Sequence, residues 1–399
     1  MSQSVVTILT CILCLCLHLC LCVVVPANPL VLQNSNHREP TAGPLKPQFD
    51  VVIVGGGPAG LSALCSLARV RHEVLLIDSG EYRNSPSRRV RDTIGSDDIP
   101  PALFRYRARQ KAAQFTSATL QNGTVESIVR GRDNSTFTTT LSNGQSYTSR
   151  KIILATGLRD VLPNVPGIED AWGRGMYWCA WCDGWEHRDQ SLGIITTLPK
   201  LVQSVIHVST LNKDIIAFVN GTDTPANRQL LAASAPGWEK YLKQAGVKIE
   251  NRKISGFERL QDGSIFRNET SSQDYDRFRV YLEDGSQILR SAFLASFPKV
   301  QRSYAGAKIG VQLVDEKIYV ESADMKAAPG VWAVGDANSD NSTNVPHALY
   351  SGKKAAVSAH FELGSEGLSE PLIAITKRSE SDLLRDMENG LEEIWDSIK

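Results

Sequence analysis

Two cysteines separated by two residues carry the most evident chemistry of this sequence. Cys179 and Cys182 are close enough along the chain to form an easily reduced disulfide, and Asp183 places a titratable carboxyl beside the sulfurs. Only a thiolate attacks a disulfide or reacts with an electron carrier, so such a pair needs a lowered sulfur pKa or a nearby base. The motif Cys179-Ala180-Trp181-Cys182-Asp183 therefore predicts a redox-active dithiol.

The sequence gives less support to two other roles for the cysteine pair, a structural zinc site and an inert disulfide. A structural zinc site needs about four ligands, and the chain beyond its apolar leader has no second cysteine pair. An inert disulfide that closes a loop across only two residues would stabilise a fold very little. A secreted protein of this length held together by disulfides would carry more cysteines. Five of the eight cysteines lie in the leader: Cys11, Cys14, Cys16, Cys20 and Cys22.

A glycine-rich stretch far upstream predicts a bound dinucleotide. Gly55, Gly57 and Gly60 form a G-x-G-x-x-G pattern between a predicted strand and a predicted helix, and Asp78 closes the next strand. Glycines permit the tight turn and the close approach of backbone to pyrophosphate, and an acidic residue can bind a ribose hydroxyl. The alternative, a glycine-rich turn without a ligand, is disfavoured because strand, helix and acidic residue are all in place. A dithiol and a dinucleotide together suggest an enzyme that moves electron pairs between thiols and a flavin.

The elements that must position these residues form two α/β units. Short apolar runs alternate with helical patterns, which predicts an α/β fold with two Rossmann-like (three-layer ββα/βαβ) nucleotide-binding domains, the second inserted into the first. Predicted strands of the first unit lie at 49–54, 73–78, 124–130, 137–141, 151–155 and 331–334, and its helices at 61–70, 99–115 and 345–362. The second unit has predicted strands at 192–196, 215–219 and 247–250, and helices at 198–211 and 226–245. The turn Ser142-Asn143-Gly144 predicts a hairpin.

These elements divide the chain into five predicted regions. We expect a leader at 1–27, a Pro-rich linker at 28–47, the first unit at 48–165 and 292–362, the second unit with the cysteine pair at 166–291, and an extension at 363–399. An amphipathic helix is predicted at 381–398 within the extension.

Composition and the N-terminus indicate partners and location. The 43 basic and 43 acidic residues give a formal net charge of +0, so no field attracts nucleic acid or an anionic membrane surface. Residues 5–25 are almost wholly apolar and precede Ala27, a small residue at a cleavage position. They predict a cleaved signal peptide or a retained signal anchor, since roughly 20 residues span a bilayer, and either leads into the secretory pathway. Five glycosylation acceptors would be usable there: Asn122, Asn134, Asn220, Asn268 and Asn341.

Several motifs in a fixed order resemble the low-molecular-weight thioredoxin reductases, a class of pyridine nucleotide-disulfide oxidoreductases. The motifs are Gly55-Gly56-Gly57-Pro58-Ala59-Gly60, Ala155-Thr156-Gly157, Cys179-x-x-Cys182-Asp183 and Gly335-Asp336. The resemblance covers residues 48–362 and implies FAD bound by the first domain. It places the cofactor against the glycine motif, Asp78, Ala155-Thr156-Gly157 and Gly335-Asp336.

The resemblance also implies a role for individual residues. Asp336 would hold the ribitol of FAD, and the helix that starts near Val345 would point its N-terminus at the flavin pyrimidine ring. Cys182 would pack against the flavin, Cys179 would exchange with a dithiol substrate, and Asp183 would manage the thiol protons. Proteins of this family are usually homodimers, so a homodimer is expected.

The sequence departs from the family where NADPH should bind. Thioredoxin reductases carry a second glycine-rich fingerprint shortly after the cysteines and basic residues at the end of the following strand. Here residues 191–199 hold one glycine, Gly193, with bulky residues where the others should be, and residues 218–222 contain no arginine pair. Bulky side chains block the approach of backbone to a pyrophosphate, which predicts weak NADPH binding.

That departure is similar to a branch of the family in fungal secondary metabolism, which closes small-molecule dithiols of the gliotoxin type into disulfides. In such an enzyme, electrons pass from the substrate dithiol to Cys179 and Cys182, then to FAD, and then to dioxygen, releasing hydrogen peroxide. The oxidising environment of the secretory pathway suits a dithiol oxidase better than a reductase. Two other functions stay open: an NADPH-dependent reductase of a thioredoxin-like protein, and a flavin-binding scaffold without turnover, which the retained cysteines and Asp183 oppose.

Three further residues near these motifs have roles that the sequence indicates less directly. His347, at the start of the helix expected to face the flavin, is either a base for a substrate thiol or a helix-terminal residue without chemistry. His187 is expected to be structural or exposed, and Cys65 to be a small buried hydrophobe.

Aromatic and basic residues also cluster around the motifs. Four aromatic residues near the cysteines would line a pocket for a small substrate, or lie in the core, as we expect for two of them: Tyr177, Trp178, Trp181 and Trp185. A basic run after the strand of Asp78 is expected to be a solvated loop and not an anion site: Arg83, Arg88, Arg89 and Arg91.

Overall fold

The computed structural model describes residues 47–132, 134–340, 342–366 and 368. The predicted leader at 1–27, nearly all of the linker at 28–47 and the predicted helix at 381–398 lie outside the described residues. The described chain holds two units with parallel sheets, the second inserted into the first, which confirms the predicted fold class. Within these ranges, no helix is both long enough and apolar enough to cross a membrane.

The first unit begins with a parallel strand-helix-strand motif that carries the glycine fingerprint. β1 (Phe49–Val54) and β2 (Val74–Asp78) are parallel neighbours joined by α1 (Pro58–Arg69). Pro58 lies in the first turn of α1, where its missing N–H breaks no helical hydrogen bond. The strands are buried almost throughout, which explains why they are apolar runs without alternation.

The first unit continues with one helix and four strands that extend its sheet. They are α2 (Pro101–Ala112), β3 (Ala118–Asn122), β4 (Val125–Arg130), β5 (Phe137–Leu141) and β6 (Ser146–Leu154). β3 joins β2 in parallel, whereas β4, β5 and β6 follow one another as an antiparallel meander. The predicted turn Ser142-Asn143-Gly144 joins β5 to β6, and the end of β6 pairs in parallel with β1.

The chain crosses to the second unit through β7 (Leu158–Asp160). The first elements there are α3 (Ile168–Ala171), β8 (Met176–Tyr177), α4 (Ala180–Asp183), β9 (Leu192–Ile195), α5 (Leu201–Val208), β10 (Ile215–Phe218), α6 (Pro225–Ser234), α7 (Trp238–Gln244) and β11 (Val247–Glu250). Six strands follow: β12 (Ile254–Gln261), β13 (Arg267–Asn268), β14 (Gln273–Asp274), β15 (Arg277–Leu282), β16 (Gln287–Arg290) and β17 (Ala292–Ala295). A parallel sheet runs in the order β11-β10-β9-β17-β8, and β12, β15 and β16 form an antiparallel sheet.

Two predicted helices of the second unit differ from the structure. The helix predicted at 226–245 is divided into α6 and α7, because Pro236 lacks an N–H and Gly237 has a φ of 80°. The helix predicted at 198–211 is a 3₁₀ turn at Leu198–Lys200 followed by α5.

The chain returns to the first unit later than the predicted boundary at 292. β17 pairs in parallel with β9 and β8, so it belongs to the second sheet. β18 (Lys299–Gln301) then pairs antiparallel with β7. The segment that leaves the first unit and the segment that returns to it therefore lie side by side. A short apolar strand such as β17 fits either parallel sheet by composition, which is why the sequence places the boundary too early.

The last part of the described chain completes the first sheet and ends in a long helix. Its elements are β19 (Leu313–Val314), β20 (Lys317–Ile318), β21 (Lys326–Ala328), β22 (Val331–Ala333) and α8 (Val345–Ser365). The order β21-β22-β6-β1-β2-β3 makes β22, β6, β1 and β2 adjacent parallel strands. Their carboxyl ends meet at one edge, which is where ligands bind in open α/β sheets.

Candidate active site

The glycine fingerprint forms a cradle at the carboxyl end of β1. A Cβ at Gly55 would overlap the carbonyl oxygen of Ala155, and a Cβ at Gly60 would overlap that of Gly55, so both positions require glycine for close packing. Gly57, in contrast, has open space where its side chain would be. No side chain caps the N-terminus of α1 at Gly57, so the first amides of the helix face the cleft. This arrangement fits a pyrophosphate group.

Asp78 lies at the end of β2, where the fingerprint places a ribose-binding carboxylate. It is buried, and its Oδ2 accepts hydrogen bonds from the Tyr82 hydroxyl at 2.5 Å and the Arg109 guanidinium at 2.9 Å. Its Oδ1 accepts one from the backbone N–H of Gly80 at 3.1 Å. Burial and the hydrogen bond to Asp78 raise the pKa of Tyr82 to about 12, so its hydroxyl stays a donor at physiological pH.

The ends of β6 and β22 supply the opposite wall. The Thr156 hydroxyl is buried with no hydrogen-bond partner among the described residues, so it can serve a bound ligand. Asp336, beyond β22, accepts a hydrogen bond at 2.7 Å from Arg83. The N-terminus of α8 closes this wall, with Asn344 as its cap: the Asn344 side chain accepts the N–H of His347 at 2.9 Å.

One cleft joins these walls to the cysteine pair. Of the predicted cofactor residues, eleven line it: Gly55, Gly57, Pro58, Ala59, Asp78, Ala155, Thr156, Gly157, Gly335, Asp336 and Val345. Gly60, the twelfth, lies behind the cradle, against the carbonyl of Gly55. Cys182 and Asp183 line the same cleft, whereas Cys179 and His347 are not part of its lining. The orphaned hydroxyl, the open position at Gly57 and the uncapped helix together fit a dinucleotide that reaches one sulfur of the pair.

Cys179 and Cys182 are joined as a disulfide at the start of α4. Cys179 is the N-cap residue of this short helix, and its Sγ accepts the N–H of Cys182 at 3.1 Å. A backbone donor at a helix N-terminus stabilises a thiolate at that sulfur once the disulfide is reduced.

Asp183 has one close partner across the boundary between the units. Its Oδ1 lies 2.7 Å from the guanidinium of Arg91, which belongs to the first unit. Burial raises the pKa of Asp183 to about 6, because it outweighs the stabilising charge of Arg91, and the nearby Asp274 adds to the increase. A carboxyl with this pKa gains or loses a proton near neutral pH.

His347 is not part of the lining of the cleft that holds Cys182. Its Nε2 is 2.7 Å from Oδ2 of Asp340, and this contact and the charge of His347 lower the pKa of Asp340 against the opposing effect of burial. The contact with Asp340 does not test whether His347 is a base for a substrate thiol, so that role stays a prediction.

The four arginines after β2 are not a solvated loop, and that prediction is wrong. Arg83 is buried between Asp160 and Asp336, and it lies over the ring of Trp178. Arg88 holds Asp276 with two hydrogen bonds of 2.8 Å, and Arg91 is buried beside Asp183. Arg89 lines the cleft and donates to the carbonyl of Asp98. Most of their acidic partners lie 77 to 253 residues away, so no local pattern reveals them.

The aromatic residues near the cysteines divide between core and surface. Tyr177 is buried, and Trp178 lines the cleft and stacks on Trp172 at a centroid distance of 4.9 Å. Trp181 and Trp185 are exposed, at 68% and 58% of their full surface. Trp181 lies between the two cysteines in the chain, and its exposed indole offers an apolar surface to a substrate that approaches Cys179.

His187 and Cys65 have the packing expected of structural residues. His187 is buried and stacks on Tyr177, with ring planes 3° apart. Burial lowers its pKa to about 4, so it is neutral. Cys65 is half-buried and packs against the core of the first unit.

The second sheet lacks the features that make the first one a cradle. Gly193 packs its Cα against the rings of Phe293 and Phe218, inside the core. Leu198 is fully buried, and its N–H is donated to the Thr222 hydroxyl at 2.9 Å. Pro199 has no N–H to offer. Groups of the protein itself therefore occupy the helix start that would bind a pyrophosphate. The sequence predicts the missing glycines, but it does not predict the hydrogen bond from Leu198 to Thr222, because Thr222 lies beyond the next strand.

Comparison with known proteins agrees with this geometry. The chain matches the family model of the pyridine nucleotide-disulphide oxidoreductases over residues 49–352, a range that contains the glycine fingerprint and the cysteine pair. A probable thioredoxin reductase from Arthroderma benhamiae is 42% identical over 389 residues, which cover 92% of this chain and 94% of that protein. Thioredoxin reductase tcpT from Claviceps purpurea is 29% identical and covers 79% of this chain and 94% of its own length. The crystal structure of HlmI has a TM-score of 0.69 at 28% identity, covering 82% of this chain and 96% of that chain.

Proposed function

Since the chain belongs to the pyridine nucleotide-disulphide oxidoreductase family, we propose that it is a dithiol oxidase that closes a small-molecule dithiol into a disulfide with dioxygen as final acceptor. The broader activity follows from the family: the protein is a thioredoxin reductase-like, FAD-dependent oxidoreductase that acts on sulfur groups. The finer proposal includes a place in fungal secondary-metabolite biosynthesis.

The filled pyrophosphate position of the second unit carries this proposal. A nicotinamide dinucleotide needs free helix amides and glycines at the turn after the first strand of its unit. In this chain the Leu198 amide is occupied by Thr222, and Gly193 is packed against Phe293. Asp223, five residues beyond the end of the next strand, accepts two hydrogen bonds from Arg228, so this arginine is already paired with a carboxylate. Reduction by NADPH is therefore disfavoured, and a dithiol becomes the source of electrons.

The residues of the chain perform the exchange between substrate and enzyme sulfurs. A substrate thiolate attacks Cys179, the sulfur outside the cleft lining, and Cys182 leaves as a thiolate. The second substrate thiolate then attacks the mixed disulfide, so the substrate S–S bond forms and Cys179 is released. Asp183, in the cleft beside Cys182, takes up a proton from this exchange. FAD, held by the glycine cradle, Asp78 and Asp336, would supply a two-electron acceptor for the enzyme dithiol, with dioxygen as the final acceptor.

Anaerobic mixing tests the source of electrons. Purified protein with bound FAD is mixed without oxygen either with NADPH or with dithiothreitol. We expect the dithiol to bleach the flavin absorbance within the turnover time, and NADPH to leave it unchanged. Rapid bleaching by NADPH would contradict the oxidase proposal. Oxygen uptake with a panel of dithiols then identifies the preferred class of substrate.

The second candidate is an NADPH-dependent reductase of a thioredoxin-like protein. The Arthroderma benhamiae relative, named a probable thioredoxin reductase, is similar over almost the whole chain, which favours this activity. The same anaerobic experiment decides between the two, because the candidates differ in which reactant delivers electrons. A third candidate, a scaffold without turnover, predicts that neither reactant bleaches the flavin.

A homodimer is part of the proposal. Tyr350, Val357 and Phe361 of α8 are exposed, and their spacing of seven and four residues places them along one side of the helix. An apolar stripe of this kind suits a self-complementary contact with a second copy. Light scattering on the purified protein, compared with a Phe361→Glu variant, tests this part: the variant should be a monomer.

A secretory location is the last part of the proposal. Four predicted acceptors are exposed on the described chain: Asn122, Asn134, Asn220 and Asn268. The fifth, Asn341, lies outside the described residues. Protein isolated from its native host should lose mass on treatment with an endoglycosidase, and an unchanged mass would contradict passage through the secretory pathway with use of these acceptors.

A further inference from the structure

A second carboxylate lies behind the cysteine pair, and the exchange described above leaves it without a role. Glu186 is buried three residues after Asp183. Arg91 reaches both: its NH1 is 2.7 Å from Oδ1 of Asp183, and its Nε is 3.1 Å from Oε1 of Glu186. Arg91 is itself buried and comes from the first unit. One guanidinium therefore bridges two carboxylates that follow Cys182 in the chain.

The surroundings of Glu186 favour a proton. Three buried polar atoms here have no hydrogen-bond partner within the described part of the chain: Oε2 of Glu186, the hydroxyl of Tyr177 and Nδ1 of His187. A buried polar atom without a partner costs about 1–3 kcal/mol. A proton on Glu186 reduces that cost, since it removes the buried charge and adds an O–H donor.

The charges around the pair are predominantly negative. Arg91 also lies 3.2 Å from Asp274 and 3.7 Å from Asp98. Arg267 pairs with Asp98 and Asp274, and Arg88 pairs mainly with Asp262 and Asp276. Asp183 and Glu186 must thus share Arg91 with two further aspartates. Two carboxylates near one cation do not both ionise easily, so their titrations are coupled.

The exchange reaction supplies protons to such a pair. The enzyme S–S bond breaks, the substrate S–S bond forms, and two electrons move to Cys179 and Cys182. The substrate must lose both thiol protons, because only thiolates attack. When one enzyme sulfur stays a thiolate, one of these protons is held elsewhere, and Asp183 is the cleft-lining carboxyl that follows Cys182 directly in the chain.

We propose that Asp183 and Glu186, bridged by Arg91, act as one proton-holding pair in which Glu186 is a positioning residue: by sharing Arg91 with Asp183, it keeps Asp183 able to take up a proton during the exchange. Burial is the main reason that the pKa of Glu186 rises to about 7 and that of Asp183 to about 6. The negative charge of Asp183 adds to the rise at Glu186, and Arg91 lowers the pKa of both carboxyls. The proposal concerns sulfur exchange alone, which both the oxidase and the reductase require, so it stands or falls separately from the choice between them.

The test is the pH dependence of disulfide reduction in the full chain with bound FAD. Dithiothreitol reduces the protein anaerobically between about pH 5 and pH 9, samples are alkylated, and mass spectrometry follows loss of the Cys179–Cys182 disulfide. Glu186→Gln removes one of the carboxylates that share Arg91, so Arg91 stabilises the Asp183 carboxylate more strongly and the pKa of Asp183 falls toward its ordinary value. We expect the acid limb of the rate profile to move by about one unit to lower pH, with the same shift in the infrared band of the protonated carboxyl.

Two further variants complete the test. Glu186→Asp keeps the carboxylate and should restore the acid limb to the wild-type position, which a merely structural role for the side chain does not predict. Glu269→Gln is the matched control, because Glu269 also contacts an arginine of this cluster, Arg267 at 3.3 Å, but is exposed; its profile should equal that of the wild type. The proposal is overturned if Glu186→Gln folds and keeps the wild-type acid limb. Should Glu186→Gln not fold, the proposal is overturned if Glu186→Asp, which retains the carboxylate, moves the acid limb away from the wild-type position.

Discussion

At the scale of single residues, the two sulfurs differ in what they face. Cys182 lines the cleft with the glycine cradle, whereas Cys179 does not. We expect Cys182→Ser to reduce dithiol turnover to background while FAD stays bound, because the substitution leaves the cradle intact. Oxygen uptake with dithiothreitol and the visible absorbance spectrum measure the two properties. Cys65→Ser, at the half-buried free cysteine, is the control and should keep full turnover. Turnover that survives Cys182→Ser would refute the exchange mechanism.

A second prediction at this scale concerns the buried histidine. Burial lowers the pKa of His187 to about 4, so the unfolded chain binds a proton below about pH 6.5 that the folded protein excludes until about pH 4. This residue therefore removes stability as the pH falls through that window, by at most about 1.4 kcal/mol per pH unit. His187→Phe, which keeps an aromatic ring against Tyr177, should lose less stability than the wild type between pH 7 and pH 5.

Denaturant midpoints at the two pH values measure this effect. Asp183 and Glu186 act in the opposite direction, because raised carboxyl pKa values add stability as the pH falls, so the comparison is between variant and wild type at each pH. His207→Phe, at an exposed histidine, should keep the wild-type pH dependence. Equal pH dependence in His187→Phe and the wild type would show that His187 is not the group excluded from protonation.

At the scale of elements, the cradle depends on how closely α8 packs against α1. A Cβ at Gly352 would overlap the backbone oxygen of Ala59, in the first turn of α1, whereas Gly364 on the same helix has open space around it. We expect Gly352→Ala to destabilise the protein by about 1–3 kcal/mol and to weaken FAD binding, since the shift falls on the helix end that faces the phosphates. Gly364→Ala should be neutral or stabilising by up to about 1 kcal/mol. Thermal unfolding and release of flavin fluorescence measure both.

Local patterns predict the elements of the first unit and the residues of the cleft. The apolar runs of β1 and β2, the glycines between them and Asp78 at the next strand end are short-range signals, and the structure brings them together as expected. The predicted cofactor residues that the family resemblance implies, Ala155-Thr156-Gly157, Gly335-Asp336 and Val345, line the same cleft.

The features that the sequence does not predict depend on long-range contacts, or on alternative local conformations of similar energy. The strand at Ala292–Ala295 has no residue that marks which sheet it joins, so its assignment needs the tertiary structure. The buried role of Arg88 depends on Asp276, 188 residues away. The helix break at Pro236 is a local signal, but one that helical periodicity on both sides conceals.

At the scale of the whole molecule, the arginines after β2 connect the unit with the cradle to the unit with the cysteines. Arg88 contacts Asp262 and Asp276, and Arg91 contacts Asp183, all in the second unit. These guanidiniums and carboxylates are largely removed from water, so burying each charge is tolerated only while its oppositely charged partner is present. Cys182 is thereby held at a cleft whose other residues belong to the first unit.

This connection predicts unequal effects of two arginine substitutions. Arg88→Met leaves the fully buried carboxylate of Asp276 with Arg259 as its remaining close cation, so we expect a loss of about 3 kcal/mol, the lower end for a broken buried ion pair. Arg228→Met breaks the exposed pairs with Asp223 and Glu239 and should cost less than about 1 kcal/mol. Hydrogen exchange should show faster exchange at 262–276 and around the cysteine pair in Arg88→Met alone. Equal stability and exchange in the two variants would mean that the units are held together by other contacts, and the position of Cys182 would then not depend on the arginines.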